Sequence, residues 1–480
     1  MHLKSVFQNI VSLLVKRIVE YLFLFLLIVY AGRTLGPSQF GKLNFAFAFT
    51  SLFIILSDLG FRRYLNREVA KNLDESRKTI QYAFTLKIFF ALIVELVIII
   101  AINLMGYDTQ TKILVYILGI YIIFKSYQEF INDLFRGLKK AHLEAYSEFF
   151  EKPLLLLCGV GLLQKGYGVT ALVWLFLILK VISCMFTFFL YRAHVGSIVL
   201  QLPSLQEGLA LVKLSAPYAL FLCFAMLYLG IDTVLLSYIK GDVSVGIYQV
   251  AVKVGVVLML FPEAITQSVL PHMVAFYYTD KKRLLTAYIM TIKSLFFIAS
   301  FIGVYLFFFS RWILQITFGP AYFPALPLFS IIAGMILFRF LIYGSATMLN
   351  ASGNQPMCTV IEALCVLINI VLNIMLIPKY DYMGAGVATL ATNALVCGIY
   401  FLMVKMKTGA SFPAAFFLKM VLTLCIVAGG TLFIPFQMLF YRALYIASAF
   451  ILVSYILQLI SKEELYTIRH VLTSNLAQPF

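Results

Sequence analysis

Nine basic side chains lie within stretches of sequence that are apolar enough to cross a membrane. A cation at the centre of a bilayer costs roughly 2.5–3.5 kcal/mol even on the most lenient scales. A chain that retains several such cations is expected to line a polar cavity with them, and that cavity would favour an anion. The nine residues are Lys87, Lys125, Lys152, Lys180, Lys213, Lys253, Lys293, Arg339 and Lys419.

The composition determines the class of protein that must position these cations. The 480 residues are 62% hydrophobic and 12% charged, which excludes a water-soluble globule. Apolar runs of about 20 residues, enough to cross about 30 Å of hydrocarbon as helix, recur along the chain. Because backbone groups cannot remain unpaired in lipid, we predict an all-α polytopic membrane protein with about 14 transmembrane helices. The predicted spans are 11–31, 43–61, 80–103, 112–134, 145–164, 169–191, 210–238, 245–271, 286–309, 323–347, 357–377, 384–406, 414–435 and 440–460.

The distribution of Lys and Arg predicts the orientation. The connections on one side hold twenty of these residues and those on the other side hold eight, so the richer side is expected to be cytoplasmic. We therefore predict a multi-pass protein of the cell (inner) membrane with both termini in the cytoplasm. The net charge of +16 is scattered over short loops, which favours contact with anionic membrane lipids over binding of nucleic acid.

Cysteine and histidine give no constellation for chemistry. The seven Cys fall within or at the ends of apolar spans without a C-x-x-C pair, and the five His are dispersed. We predict neither metal nor cofactor, and no catalytic residues, since a membrane enzyme would need an acid, base or nucleophile converging outside the hydrocarbon.

Two short similarities indicate an internal repeat. FGKLNFA at 40–46 resembles VGIYQVA at 245–251, which places Gly41 on Gly246 at an offset of 205. GVTAL at 168–172 resembles GVATL at 386–390 at an offset of 218. Helices 1–6 and 7–12 are thus predicted to be parallel repeats, and transporters of that build usually bind substrate between the halves. The predicted divisions are 1–195, 205–408, and 409–480 with two additional helices and a tail.

Five segments together resemble one known family. They are LGPSQFG (35–41), DLGFRRYLNREVA (58–70), IDTVLLS (231–237) with VGIYQVAVK (245–253), FGPAYFPA (318–325) and LNIMLIPKYDYMGAGVAT (372–389). In order along nearly the whole chain, they resemble the polysaccharide (O-antigen and repeat-unit) flippases of the multidrug/oligosaccharidyl-lipid/polysaccharide exporter superfamily.

That resemblance implies two six-helix lobes around a central cavity. It also implies alternating access that moves a polyprenyl-pyrophosphate-linked oligosaccharide from the inner to the outer leaflet for surface polysaccharide synthesis. A polysaccharide polymerase and other assembly proteins would be its partners. Helices 1, 2, 7 and 8 line the cavity in such proteins, which points by position to Arg17, Glu20, Asp58, Lys213, Asp232, Lys253 and Glu263.

The buried cations have competing interpretations. Four lie near the cytoplasmic end of a span, and snorkelling to the headgroups is favoured for all of them except Lys213. Lys125 with Glu129, and Lys152 with Glu148, are spaced i, i+4 and can neutralise each other on one helix, which leaves a structural pair and a site both open. The four residues near the cytoplasmic end are Lys87, Lys213, Lys293 and Lys419.

Three deep cations have no acidic residue one turn away on their own helix: Lys180, Lys253 and Arg339. We favour Lys253 and Arg339 as phosphate contacts, and the alternative is pairing with a carboxylate on another helix. The candidate substrate-binding residues are Arg17, Lys125, Lys180, Lys213, Lys253 and Arg339.

The acidic candidates for coupling to an ion are Glu20, Asp58, Asp232 and Glu263. An intramembrane carboxylate can load and release a proton or sodium ion as access changes, whereas the alternative role is that of a counter-ion. The counter-ion role is slightly favoured for Asp232 and Glu263, and helix 8 is expected to kink at Pro262.

Three other functions compete with the flippase hypothesis. A multidrug/cation antiporter of the same superfamily would need a carboxylate-rich cavity, whereas this sequence retains lysines. A membrane-embedded enzyme of polysaccharide assembly would need the catalytic groups that the sequence lacks. A structural protein that keeps the fold without transport is the third alternative.

Overall fold

The computed structural model describes residues 3–410, 413–435, 438–457 and 459, with side chains from residue 22 onward except at position 221. Within that part of the chain the regular structure is entirely helical. Its elements are α1 (Leu3–Leu52), α2 (Ile54–Asp58), α3 (Phe61–Lys71), α4 (Leu73–Leu104), α5 (Thr109–Gly137), α6 (Ala141–Gln164), α7 (Val169–His194), α8 (Leu205–Lys240), α9 (Asp242–Leu258), α10 (Leu260–Thr279), α11 (Lys281–Ile316), a short 3₁₀ helix (Pro320–Ala325), α12 (Leu326–Ala351), α13 (Gln355–Thr408), α14 (Ala414–Leu432) and α15 (Leu439–Ile456).

These helices account for the predicted spans. Eleven stretches of the described chain are helical, long and apolar enough to cross a membrane. Two of them, Leu22–Asp58 and Gln355–Thr408, each overlap two predicted spans joined across a kink. Helix α6 supplies a further span that is less apolar because four charged residues lie along it. The prediction of an all-α membrane protein with about fourteen spans is therefore confirmed.

Proline and glycine mark the breaks in the long helices. Gly36 takes a φ of 72° just before Pro37 and divides α1, a conformation that glycine adopts without steric penalty. The break between α9 and α10 precedes Pro262, whose ring would clash with the carbonyl group four residues earlier in a continuous helix. The predicted kink of helix 8 is thus present at this proline. Helix α13 changes direction at Asp381, where φ is 55°.

The chain divides into two compact units. The first unit holds the described residues up to 257 together with 314–328 and 359–392, and the second holds 258–313, 329–358 and the described residues from 393 onward. These divisions are not the predicted lobes at 1–195 and 205–408, which remain a prediction.

The first unit is built around two buried apolar clusters. One cluster joins α1 to α4–α7 and includes Phe45, whose ring stacks 4.4 Å from that of Tyr107. The other cluster forms where α3 directs Phe61, Leu65 and Val69, four residues apart, against α4, α5 and α7. This packing holds the charged face of α3 next to the polar groups of α5.

The second unit contains the two C-terminal helices. The rings of Phe297 and Phe301 on α11 lie 5.0 and 5.3 Å from Phe450 on α15. The hydroxyl group of Tyr305 donates a 2.7 Å hydrogen bond to the carbonyl oxygen of Ala443. Edge-to-face aromatic packing of this kind fixes α15 against α11.

Candidate functional site

A cavity of about 190 Å³ lies in the first unit, where both segments of α1 meet α5, α7 and α9. Asn44, Ser51 and Tyr121 give its wall polar groups, and the two charged residues that line it are Lys125 and Lys253. Two predicted substrate-binding residues from different helices therefore meet in one cavity. A cavity lined by two cations and neutral groups favours an anionic ligand.

Lys253 is the cavity residue with an unneutralised charge. Its side chain is half-buried on α9, and no Asp or Glu lies within ion-pair distance of it in the described part of the chain. A partly desolvated ammonium group without a counter-ion gains more from an anionic ligand than one that is already paired. Lys253 is thus the strongest candidate for a phosphate contact.

Lys125 is only partly neutralised. Its Nζ lies 3.9 Å from a carboxylate oxygen of Glu129 one turn away, and 38% of its side chain is exposed. The same carboxylate forms a close ion pair with Arg62 of α3. Because Glu129 is shared, Lys125 combines the two roles that the sequence left open, a helical ion pair and a cavity-lining cation.

Lys180 belongs to a buried ion network that we call the Glu151 cluster: Gln128, Glu148, Glu151, Lys152 and Lys180. The two carboxylate oxygens of Glu151 lie 2.7 Å from Lys180 Nζ and 2.9 Å from Lys152 Nζ. Lys180 also donates to the amide oxygen of Gln128 at 2.9 Å, and Lys152 lies 3.4 Å from Glu148. Lys180 is 3% exposed and is not among the residues that line the cavity. Its geometry matches the alternative interpretation, pairing with a carboxylate on another helix.

Lys87 and Asp58 form a second buried pair. Lys87 Nζ lies 2.8 Å from Asp58 and 2.7 Å from the hydroxyl oxygen of Ser126, with 1% of the residue exposed. The prediction that Lys87 snorkels to the headgroups is therefore wrong, because its charge is neutralised inside the protein. Arg62 lies 3.8 Å from the same carboxylate, so Asp58 has the surroundings of a counter-ion.

Asp232 has very different surroundings, which we call the Asp232 cluster: Asp232, Tyr248, Asn369, Asn373 and Thr389. One carboxylate oxygen accepts from the Asn373 amide at 2.9 Å, and the other accepts from the hydroxyl groups of Tyr248 at 3.0 Å and Thr389 at 2.8 Å. The residue is 7% exposed, and no Lys, Arg or His of the described chain lies within ion-pair distance. The amide oxygen of Asn373 and the amide nitrogen of Asn369 are buried without a hydrogen-bond partner among the described residues.

The Asp232 cluster has the features of a site for a proton or a small cation. A buried carboxylate surrounded by neutral donors is costly to keep ionised unless a cation accompanies it. The amide oxygen of Asn373, which has no hydrogen-bond partner among the described residues, is a further hard ligand within the cluster.

The remaining candidates are more dispersed. Lys213 is exposed on the first half of α8, and the partly exposed Glu263 accepts a 3.2 Å hydrogen bond from Gln267. Arg339 is half-buried with its guanidinium carbon 5.9 Å from the ring centre of Tyr343. Two further candidates lie outside the described side chains: Arg17 and Glu20.

Sequence reasoning missed the neutral members of the Asp232 cluster. Asn369 and Asn373 are spaced i, i+4 within an apolar stretch of α13, so that both face the same neighbours. Asn373 also falls in one of the segments that carried the family resemblance. Paired amides at helical spacing inside a membrane span would have indicated a polar site.

Comparison with known proteins places the chain in a family. The sequence profile of the family described as "Polysaccharide biosynthesis protein" matches residues 6–276, and the chain belongs to this family. A relative from Haloferax volcanii, named as a low-salt glycan biosynthesis flippase, Agl15, is 23% identical over 77% of this chain and 77% of its own length. A protein of Escherichia coli strain K12 named as an O-antigen transporter is 22% identical over 84% of this chain and 97% of its own length.

Solved structures share the fold. The lipid II flippase MurJ in an inward closed conformation matches with a TM-score of 0.71 at 16% identity, covering 94% of this chain and 99% of that one. An inward-facing multidrug resistance transporter of the MATE family and MOP superfamily matches with a TM-score of 0.67 at 14% identity, covering 84% of this chain and 98% of that one. The chain therefore has the same fold as these two solved proteins.

Proposed function

We propose that this protein is a flippase that moves a polyprenyl-pyrophosphate-linked oligosaccharide from the inner to the outer leaflet for surface polysaccharide synthesis. The observation that carries the proposal is the cavity that exposes Lys253 without a counter-ion among the described residues, in a member of a polysaccharide biosynthesis family. The relatives named as a glycan biosynthesis flippase and an O-antigen transporter support the same substrate class.

The physical chemistry of the cargo explains why such a cavity is needed. Each sugar hydroxyl transferred into hydrocarbon without a partner costs several kcal/mol, so the sugar requires a polar route while the prenyl tail stays in the bilayer. Lys253 would bind the pyrophosphate, and Lys125 would contribute a second, weaker contact. Moving each negative charge outward releases about 2.3 kcal/mol per 100 mV of inside-negative potential.

A further part of the proposal concerns the location and orientation of the protein in the membrane. The excess of Lys and Arg on one side supports an inner-membrane location with both termini in the cytoplasm.

We also propose that residues 1–195 and 205–408 act as the two lobes of an alternating-access cycle, with the helices after 409 appended. A polymerase and other assembly proteins would receive the delivered lipid-linked sugar.

Asp232 is the proposed coupling residue. Its carboxylate has three neutral donors and, in the described chain, no cationic partner, so it can take up a proton or a sodium ion in one conformation and release it in another. Asp58, with Lys87 and Arg62 beside it, is less suited to that cycle.

The test of function is rescue of a strain that lacks a repeat-unit flippase, scored by surface polysaccharide. The wild-type chain should restore the polysaccharide. A hydrogen bond to a charged group contributes about 1.5–3 kcal/mol, so Lys253→Ala should lower delivery about ten- to a hundredfold. The exposed lysine at the end of α6 supplies the control, Lys165→Ala, which should behave like wild type.

Failure of the wild-type chain to rescue, together with export of cationic drugs from the same strain, would support the antiporter alternative instead. Full rescue by Lys253→Ala at wild-type abundance would remove this lysine from the substrate contact and leave the cavity without its main anion-binding group.

A further inference from the structure

The beginning of the second segment of α1 packs against the beginning of α9 with their backbones in direct contact. A Cβ atom added to Gly41 would overlap the carbonyl oxygen of Asp242 and approach within 3.1 Å of the backbone nitrogen of Gly246. A Cβ added to Gly246 would in turn overlap the carbonyl group of Pro37. Glycine is required at both positions, because any side chain would force the two helices apart.

These two contacts are related by the internal repeat. The offset of 205 that places Gly41 on Gly246 also places Pro37 on Asp242. Gly41 contacts Asp242, and its equivalent Gly246 contacts Pro37. Because Pro37 and Asp242 are themselves equivalent, the two contacts are the same contact made in both directions. Such reciprocity is the signature of a two-fold contact, in which the same patch appears on both sides.

Two tyrosines bridge the same end of the first unit in the same reciprocal way. Tyr107, in the connection before α5, donates from its hydroxyl group to the Ser237 hydroxyl oxygen at 3.0 Å. Tyr322, in the 3₁₀ helix before α12, donates to the Gly32 carbonyl oxygen at 2.8 Å. Residues 32 and 237 are again 205 apart. The two tyrosines therefore form hydrogen bonds to equivalent positions of the predicted repeat.

The contact lies next to the cavity. Phe40, adjacent to Gly41, lines the cavity and is fully buried. Its ring centre lies 5.9 Å from that of Phe318 and 6.2 Å from that of Tyr322. The reciprocal contact and the cavity wall thus share a residue.

We propose that these elements form an outer seal, consisting of residues 32–41 and 237–246 with Tyr107 and Tyr322, which closes the predicted outer end of the cavity. The inference rests on the proposed function in one respect: release of a cargo to the outer leaflet requires the seal to open. Because the seal is two-fold, opening parts two equivalent glycine contacts and two tyrosine hydrogen bonds together. A methyl group at either glycine would disfavour the sealed state and shift the population toward the open one.

The experiment measures access to the cavity from outside. The full chain with its seven cysteines replaced by alanine carries Ser51→Cys, because Ser51 lines the cavity. A membrane-impermeant thiol reagent is applied to intact cells, and the labelling rate is compared in Gly41→Ala and Gly246→Ala. Gly161→Ala is the matched control, since a Cβ at this helical glycine meets nothing within 4 Å.

We expect several-fold faster labelling in each of the two glycine variants, a larger increase when they are combined, and no change in the control. Unchanged labelling in variants that elute as monodisperse protein would overturn the seal. If the glycine variants do not fold, the paired substitution Tyr107→Phe with Tyr322→Phe preserves ring volume, removes both hydrogen bonds and must also accelerate labelling.

The readout needs no lipid-linked sugar, so the two proposals fail separately. Faster labelling in a chain that cannot rescue a flippase-deficient strain would keep the seal and refute the flippase. Rescue by the wild-type chain, with equal labelling in all variants, would keep the flippase and refute the seal.

Discussion

The Glu151 cluster and the Asp232 cluster are both buried polar groups in apolar helices, yet their charges are balanced differently. In the first, Glu151 lies between Lys152 and Lys180 at 2.9 and 2.7 Å. In the second, Asp232 receives hydrogen bonds only from neutral groups of the described chain. The first cluster has the chemistry of a structural brace, whereas the second holds a carboxylate without a cationic partner in the described chain, as the proposed coupling role requires.

The predicted internal repeat sharpens this contrast. The offset of 218 that relates GVTAL to GVATL places Glu151 on Asn369 and Ala171 on Thr389. A carboxylate in the first half thus corresponds to a neutral amide in the second, and a methyl group corresponds to a hydroxyl donor. If the predicted repeat holds, equivalent helix positions carry a charged group in the Glu151 cluster and a neutral group in the Asp232 cluster.

The largest expected effect comes from neutralising Glu151. Glu151→Gln leaves Lys152 and Lys180 buried close together without their shared carboxylate, and breaking a buried pair in this way costs about 3–5 kcal/mol of folding free energy. Thermal unfolding of the purified protein in detergent measures the loss. A variant as stable as wild type would show that the cluster does not brace the fold.

Asp232→Asn should have the opposite profile, with little loss of stability and a large loss of coupled transport. The introduced amide can still accept from Tyr248 and Thr389, and a flip of the Asn373 side chain would restore the third hydrogen bond. We expect a stability change of under about 1.5 kcal/mol. The dependence of flipping on a pH or sodium gradient should disappear.

Measuring the two gradients separately in vesicles identifies the coupling ion. An unaltered response to both gradients in Asp232→Asn would assign Asp232 a structural role. The two clusters would then differ in their residues but not in their function.

A smaller effect is expected for Tyr248→Phe, which removes one neutral donor from Asp232 and leaves the carboxylate in place. A net hydrogen bond is worth about 0.5–1.5 kcal/mol, so stability should fall by about that amount. The ion concentration that gives half-maximal flipping should shift while maximal flipping is retained. Loss of maximal flipping at wild-type abundance would place Tyr248 in contact with the cargo instead.

The smallest effect is expected for an exposed ion pair outside the membrane. Glu207, in the first turn of α8, accepts from the Ser204 backbone N–H at 2.9 Å and from Lys78 and Tyr82 at 3.0 Å each. The Ser204 backbone N–H, followed by Lys78, lowers the pKa of Glu207 to about 2. The pKa of Glu207 in the folded protein lies below the ordinary value of 4.5. The ionised Glu207 side chain therefore contributes fully to folding stability above pH about 4.5, and this contribution is lost as pH falls toward about 2.

Pepsin cleavage of the connection between α7 and α8 measures this effect across that pH range. Glu207→Gln should be cleaved faster than wild type near pH 4.5, and the two rates should converge near pH 2. A difference that stays constant across the range would show that the charge of Glu207 does not hold this turn.

The fold could be predicted from the sequence because long apolar runs, prolines and glycines act locally. Pro262 marked a real break, and the connection predicted between spans 11–31 and 43–61 contains the kink at Gly36. The ion pairs could not be predicted, since Lys180 and Glu151 lie 29 residues apart on different helices and meet only through packing. Lys87 was misassigned for the same reason, as its partner Asp58 lies on α2.

The candidate site was partly predictable. Lys253 and Asp232 could be singled out because each is a charge within an apolar span. The sequence could not show that Lys253 keeps no counter-ion among the described residues, nor that Asn369, Asn373 and Thr389 are near Asp232. Those facts depend on which faces of α8, α9 and α13 meet.

Lys253 is proposed to hold the phosphate of a lipid-linked sugar during its passage, and flipping in reconstituted vesicles measures the contribution of that contact. The measurement compares delivery of a fluorescent polyprenyl-pyrophosphate oligosaccharide by wild type, Lys253→Ala, Lys253→Arg and the control Lys165→Ala. We expect a loss of about ten- to a hundredfold for Lys253→Ala, a smaller loss for Lys253→Arg and no loss for the control. Wild-type flipping by folded Lys253→Ala would contradict the proposed contact.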